Sequence, residues 1–170
     1  AYLPPRSTMG VLLEMDRLLR DAKPTPKTSI AKQLHDVALM MKRRSFVIVL
    51  SDFLSEADDV LAGLEHLRFA GHNVMVLHTL DPHELEFPFE GTWQFDGLEG
   101  EEPLITQPER IKEDYLANLN EYLTTFQDGC VASQIDYALV DTSSPLDVFL
   151  NEFFHQRESL LNGSAGRAGA

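Results

Sequence analysis

The sequence predicts an α/β protein: a three-layer, doubly wound sandwich around a mainly parallel sheet, with a β-hairpin excursion on its surface. Three observations carry this. Apolar, β-branched runs at 46–50, 74–79 and 135–140 are only a few residues long and apolar on both faces, as buried parallel strands are. Around them lie segments with apolar residues every third or fourth position, the pattern of amphipathic helices. Strands alternating with helices imply a parallel sheet covered on both faces, and right-handed crossovers give the doubly wound order.

The elements follow in chain order. Val11, Leu12, Met15, Leu18 and Leu19 form the stripe of a helix over 8–21. Pro24 and Pro26 then enforce an extended loop, because proline lacks the N–H a helix needs. Thr28 or Ser29 caps the next helix, whose apolar face is Ile30, Leu34, Val37, Ala38 and Met41. Lys42, Arg43 and Arg44 suit its C-terminus, where cations oppose the negative end of the dipole. After the first strand, Ser55 and Asp58 form a capping box, with Asp in the glutamate's place. Val60, Leu61, Leu64 and Leu67 line that helix, which stops at Gly71.

The segment 83–106 holds no helical stripe. Its Glu, Pro and Phe content and the two short runs at 93–95 and 104–106 mark a hairpin excursion. Pro108 sits at the first turn of a long helix lined by Tyr115, Leu119, Tyr122, Phe126 and Cys130. Pro145 opens the last helix, with Phe149, Phe153 and Phe154 on its apolar face. Residues 1–158 are read as the folded part and 159–170 as a disordered Gly/Ala tail.

Composition narrows the function classes. The 170 residues carry 14 Lys+Arg against 27 Asp+Glu, a formal charge of −13, which repels nucleic-acid backbones and anionic membranes. A single cysteine, Cys130, excludes an internal disulfide and a thiolate zinc cluster, and on the apolar face of a helix it reads as an inert buried thiol. The best apolar run is far shorter than the roughly 18 residues a membrane span needs. No signal-peptide pattern opens the chain, and a cytoplasmic location is expected.

In parallel sheets ligands bind outside the carboxyl ends of the strands. Three strands end at an acid, Asp52, Asp81 and Asp141, and chain direction puts all three on one rim. Thr28, opening a helix, faces the same rim. A hard divalent cation takes carboxylate, hydroxyl and water oxygens, so Thr28 with Asp52 can supply two of its ligands. Asp81-Pro82 and Asp141-Thr-Ser-Ser-Pro145 also read as turn-and-cap chemistry. Asp52 ranks first because the helix after it has its own cap.

Weaker candidates are set aside. The six histidines lack ligand spacing, and only His78 and His83 fall near the rim. There is no nucleophile-elbow motif and no phosphate-cradling glycine loop. Phe87, Phe89, Trp93 and Phe95, in the acidic excursion, can form a partner-docking surface.

A series of motifs then carries a resemblance: Tyr2-Leu-Pro-Pro5, Thr28-Ser-Ile, Arg43-Arg-Ser-Phe-Val-Ile-Val-Leu-Ser-Asp52, Gly71-His-Asn-Val-Met-Val-Leu-His-Thr-Leu-Asp-Pro82, Glu84-Leu-Glu-Phe-Pro-Phe89 and Asp136-Tyr-Ala-Leu-Val-Asp-Thr142. From about residue 2 to 157 the chain resembles the C-terminal half of the bacterial family known as domain of unknown function 58, whose members contain a von Willebrand factor A-like domain. The resemblance implies a metal-ion-dependent adhesion site, with Thr28 matching its threonine and Asp52 its final aspartate. The site's Asp-x-Ser-x-Ser element does not occur in this sequence, and Lys27 stands where the family has a glycine. Either the chain begins downstream of that element, the preferred reading since it starts at Ala1, or this branch has abandoned the metal site.

The resemblance further implies a non-enzymatic adaptor that holds Mg²⁺, captures a partner's acidic side chain and works with a MoxR-type AAA+ ATPase. The alternative is a Mg²⁺-dependent phosphoryl-transfer or hydrolase domain using Asp52 with Asp81 or Asp141. If the family's first strand is missing from beside 46–50, that strand is a bare edge, and self-association is expected.

Overall fold

The computed structural model describes residues 3–4, 6–22, 29–96 and 102–165, with side chains described up to 155 and at 157. Within them the chain forms α1 (Gly10–Asp21), α2 (Ile30–Met40), β1 (Phe46–Ser51), α3 (Ala57–Phe69), β2 (Asn73–Leu80), α4 (Pro82–Glu86), β3 (Trp93–Phe95), β4 (Leu104–Thr106), a 3₁₀ turn (Pro108–Arg110), α5 (Lys112–Ala132), β5 (Asp136–Asp141) and α6 (Leu146–Ala165). Pro24, Pro26 and Thr28, to which the sequence assigned a loop, a cap and a metal ligand, lie outside the described residues.

The main sheet has three parallel strands in the order β1-β2-β5. β2 is central, and six of its eight residues are buried, which explains its continuous apolar run. One face packs on α2, α3 and α5 through Val74, Val76, Leu34, Leu64, Leu67 and Phe126. On the other face Met75, Leu77 and Val140 meet Phe149 and Phe153 of α6. Helices α2 and α3 approach so closely that a Cβ on Gly63 would lie 2.9 Å from Leu34 Cβ. Gly71, at φ +89°, turns the chain out of α3 into β2, a conformation that favours glycine. β3 and β4 pair antiparallel as the expected hairpin.

Several local expectations are corrected. β1 is half-buried on one face and exposed on the other: Phe46, Ile48 and Leu50 are 45%, 46% and 65% exposed. It is an edge strand, and Arg157 of α6 stands over the Phe46 ring, 5.1 Å from its centroid. Ser55 is not a helix cap. It belongs to a tight turn in which its N–H donates to the Phe53 carbonyl at 2.6 Å, so α3 starts later, after Glu56. Ser29 caps α2 by accepting from Lys32 N–H. The basic run 42–44 lies beyond the end of α2, and Arg44 instead donates to the Gly71 carbonyl at 3.2 Å. Pro108 opens a 3₁₀ turn rather than α5. α1 forms as expected, but none of its residues is buried. α6 continues to Ala165, into the stretch whose composition reads as a tail.

Candidate functional site

Parallel register brings the three acids to one rim. Ser51 pairs with His78 and Leu80 with Asp141, so Asp52, Asp81 and Asp141 all stand at the carboxyl end of the sheet. Their carboxylates differ in what they already hold. Asp81 is the N-cap of α4 in a complete capping box: it accepts from His83 N–H at 2.8 Å while Glu84 accepts from Asp81 N–H at 2.8 Å. His83 Nδ1 lies another 2.8 Å contact away. The backbone hydrogen bond from His83, reinforced by its ring, holds the Asp81 carboxyl below the usual carboxylate range. Asp141 accepts from Ser143 N–H at 2.8 Å and from the Ser143 hydroxyl at 2.7 Å, a turn of the expected kind.

Asp52 is exposed, and its carboxylate has only long contacts. Oδ1 accepts from the Ser51 hydroxyl at 3.3 Å and lies 3.5 Å from Leu54 N. Its backbone is firmly held. His78, 1% exposed at the end of β2, donates from Nε2 to the Asp52 carbonyl at 2.9 Å. A carbonyl can only accept, so Nε2 carries the proton and Nδ1 accepts from the Tyr137 hydroxyl, 3.1 Å away. Tyr122 donates its hydroxyl to the Phe53 carbonyl. Burial is the main reason that Tyr122 and Tyr137 are both pushed up to about 12, so both remain donors at neutral pH. Burial likewise lowers His78 from its usual 6.5, against the opposing pull of the Asp52 carbonyl and charge.

Phe53 completes the mount. Its φ of +49° is left-handed, which costs a non-glycine residue roughly 1–3 kcal/mol. The surroundings impose it: the ring is buried against His78 at 5.2 Å and Phe126 at 5.0 Å between centroids. The rim loop is thus a strained turn clamped by a histidine and two tyrosines, with one carboxylate presented to solvent. Sequence reasoning noted His78 only for its nearness to the rim and read Tyr122 as a helix-face residue. The available signal was a histidine placed inside an otherwise apolar strand, which demands buried partners.

Among the described residues, no three or more His, Cys, Asp or Glu side chains converge to hold a metal ion. A cavity of about 450 Å³ lies between β5 and α6, lined in part by Tyr137, Phe149, Phe153 and Arg157, and no rim acid lines it. No helix among the described residues is long and apolar enough to cross a membrane.

Fold and rim together define a mixed α/β protein with a parallel sheet and an acidic carboxyl edge. Over residues 1–122 the chain matches the family described as protein of unknown function DUF58, and it belongs to that family. The matched span ends before β5, short of the Asp136–Thr142 motif expected to share in the likeness. No curated protein and no solved structure matches the chain.

Proposed function

We propose that the chain is a non-enzymatic protein-interaction module of von Willebrand A-like type, which engages a partner protein at the carboxyl rim of its sheet. The observation that carries this reading is the contrast among the rim acids. Asp81 and Asp141 are committed to capping and turn hydrogen bonds, while Asp52 is exposed on a clamped loop. A pre-positioned, unspent carboxylate is suited to recognition because ordering it on binding costs little entropy. The family resemblance adds a MoxR-type AAA+ ATPase as the partner.

The resemblance also adds Mg²⁺, and the donor chemistry fits only in kind. Asp52 with the Ser51 hydroxyl offers hard oxygen ligands, which Mg²⁺ accepts alongside waters. Those two groups are too few for a tight site, and Thr28 lies outside the described residues. The phosphoryl-transfer alternative needs a second uncommitted carboxylate, which the engagement of Asp81 and Asp141 disfavours.

The test is capture of a co-expressed MoxR-type ATPase with and without Mg²⁺. Asp52→Ala and Thr28→Ala abolish capture on this reading, and Asp141→Asn leaves it intact, with circular dichroism confirming that each variant folds. Capture retained in both alanine variants rejects the rim mechanism. Capture that needs Asp52 but not Mg²⁺ keeps the rim and rejects the metal.

A further inference from the structure

We propose that the β3–β4 hairpin and the aromatic cluster beneath it form a second docking surface, for a partner segment that carries Lys or Arg beside apolar residues. The surface is built outward from the core. Phe87, buried and left-handed at φ +44°, stacks on Tyr115 of α5 with 4.4 Å between centroids. Phe89 bridges from Phe87 at 5.2 Å to Trp93 at 5.0 Å and Phe95 at 5.4 Å. Trp93 and Phe95 face Thr106 and Leu104 directly across the hairpin, so all four share one side. Two three-residue strands are marginal by themselves, and this cluster is what holds them in place.

The outer end of the cluster stays open. Trp93 is 44% and Leu104 56% exposed. The Trp93 indole N–H is already satisfied by the Glu90 carbonyl at 2.8 Å, which leaves the ring itself for an incoming group. Charge selects that group. No Lys or Arg occurs between His83 and Arg110, whereas Glu86, Glu90, Asp96 and Glu102 are all exposed there. An apolar aromatic centre with a polar rim is the anatomy of a protein interface. Here the charged residues from Glu84 to Glu109 are all acidic, and a cation can also stack on the Trp93 face. The occupant is therefore cationic and partly apolar. This surface is separate from Asp52, and it stands or falls independently of the rim reading.

Trp93 is the only tryptophan in the chain, so its emission reports the site directly. The full chain is titrated with a short alternating Lys/Leu peptide and with its Glu/Leu counterpart. The expected result is a saturable change in Trp93 emission with the basic peptide, none with the acidic one, and weakening as salt rises. The triple variant Glu90→Gln, Asp96→Asn, Glu102→Gln weakens binding at least about tenfold, or ~1.4 kcal/mol. The triple variant Glu121→Gln, Asp128→Asn, Asp147→Asn, equal in charge but placed on α5 and α6, leaves it unchanged. Trp93→Leu, followed by anisotropy of a labelled peptide, also weakens it. Equal weakening by the two triple variants means that net charge alone attracts the peptide and overturns the proposal, as does the absence of saturable binding.

Discussion

Replacing His78 with Leu tests the clamp under Asp52. The ring is 1% exposed and makes two hydrogen bonds, to the Asp52 carbonyl at 2.9 Å and from the Tyr137 hydroxyl at 3.1 Å. Leucine fills similar space but strands both partners. Each polar group left without a partner costs about 1–3 kcal/mol, offset by roughly 1 kcal/mol of added apolar burial, so a net loss of about 1–5 kcal/mol is expected. In a chain of this size that is a fall in Tm of roughly 2–20 °C. Urea denaturation of His78→Leu, Tyr137→Phe and the double variant forms a cycle. Because Tyr137→Phe removes one of the stranded groups, the double variant should recover about 1–2 kcal/mol relative to additivity. The pH dependence gives a second reading. Burial lowers the folded His78 below 6.5, so the unfolded state binds the proton more readily. The His78 contribution to stability is then complete above pH 6.5 and lost as the pH falls below it, and His78→Leu removes that component between pH 6.5 and about pH 5, above the range of ordinary carboxylates. A loss below about 1 kcal/mol, or a strictly additive cycle, would refute the clamp.

Three other outcomes are expected. Gly63→Ala should cost about 1–3 kcal/mol, partly offset by helix propensity, because the new methyl meets Leu34 Cβ at 2.9 Å and the Ala31 carbonyl at 3.2 Å. Gly129→Ala should stay within about 1 kcal/mol of wild type, because it meets the far end of the half-buried Leu61, which can rotate; similar losses in both variants would reject this account of the α2–α3 approach. The bare face of β1 should drive concentration-dependent association in sedimentation velocity, relieved in Ile48→Lys, Leu50→Lys without change in circular dichroism; a wild-type chain that stays monomeric contradicts it. The Cys130 thiol, pushed up to about 12 by burial, should resist a thiol reagent at neutral pH until denaturant unfolds the chain, and rapid labelling of the native protein would show that α5 is not packed as described.

The sequence by itself determined the alternation of helices and strands, the hairpin, and the placing of Asp52, Asp81 and Asp141 on one rim. These are local or directional properties. Apolar periodicity declares a helix or a strand, and parallel strands bring their carboxyl ends together. The turn chemistry of Asp81 and Asp141 was legible for the same reason, since their partners lie within three residues. Only the tertiary structure decided which face of β1 is covered, because both of its faces carry apolar residues and coverage depends on where α6 runs. It alone decided that Asp52 is clamped, since His78, Tyr122 and Tyr137 reach that loop from 26 to 69 residues away or through one another. Hydrogen bonds of that span leave no periodicity in a sequence; their single trace is a polar residue standing where an apolar one would otherwise pack.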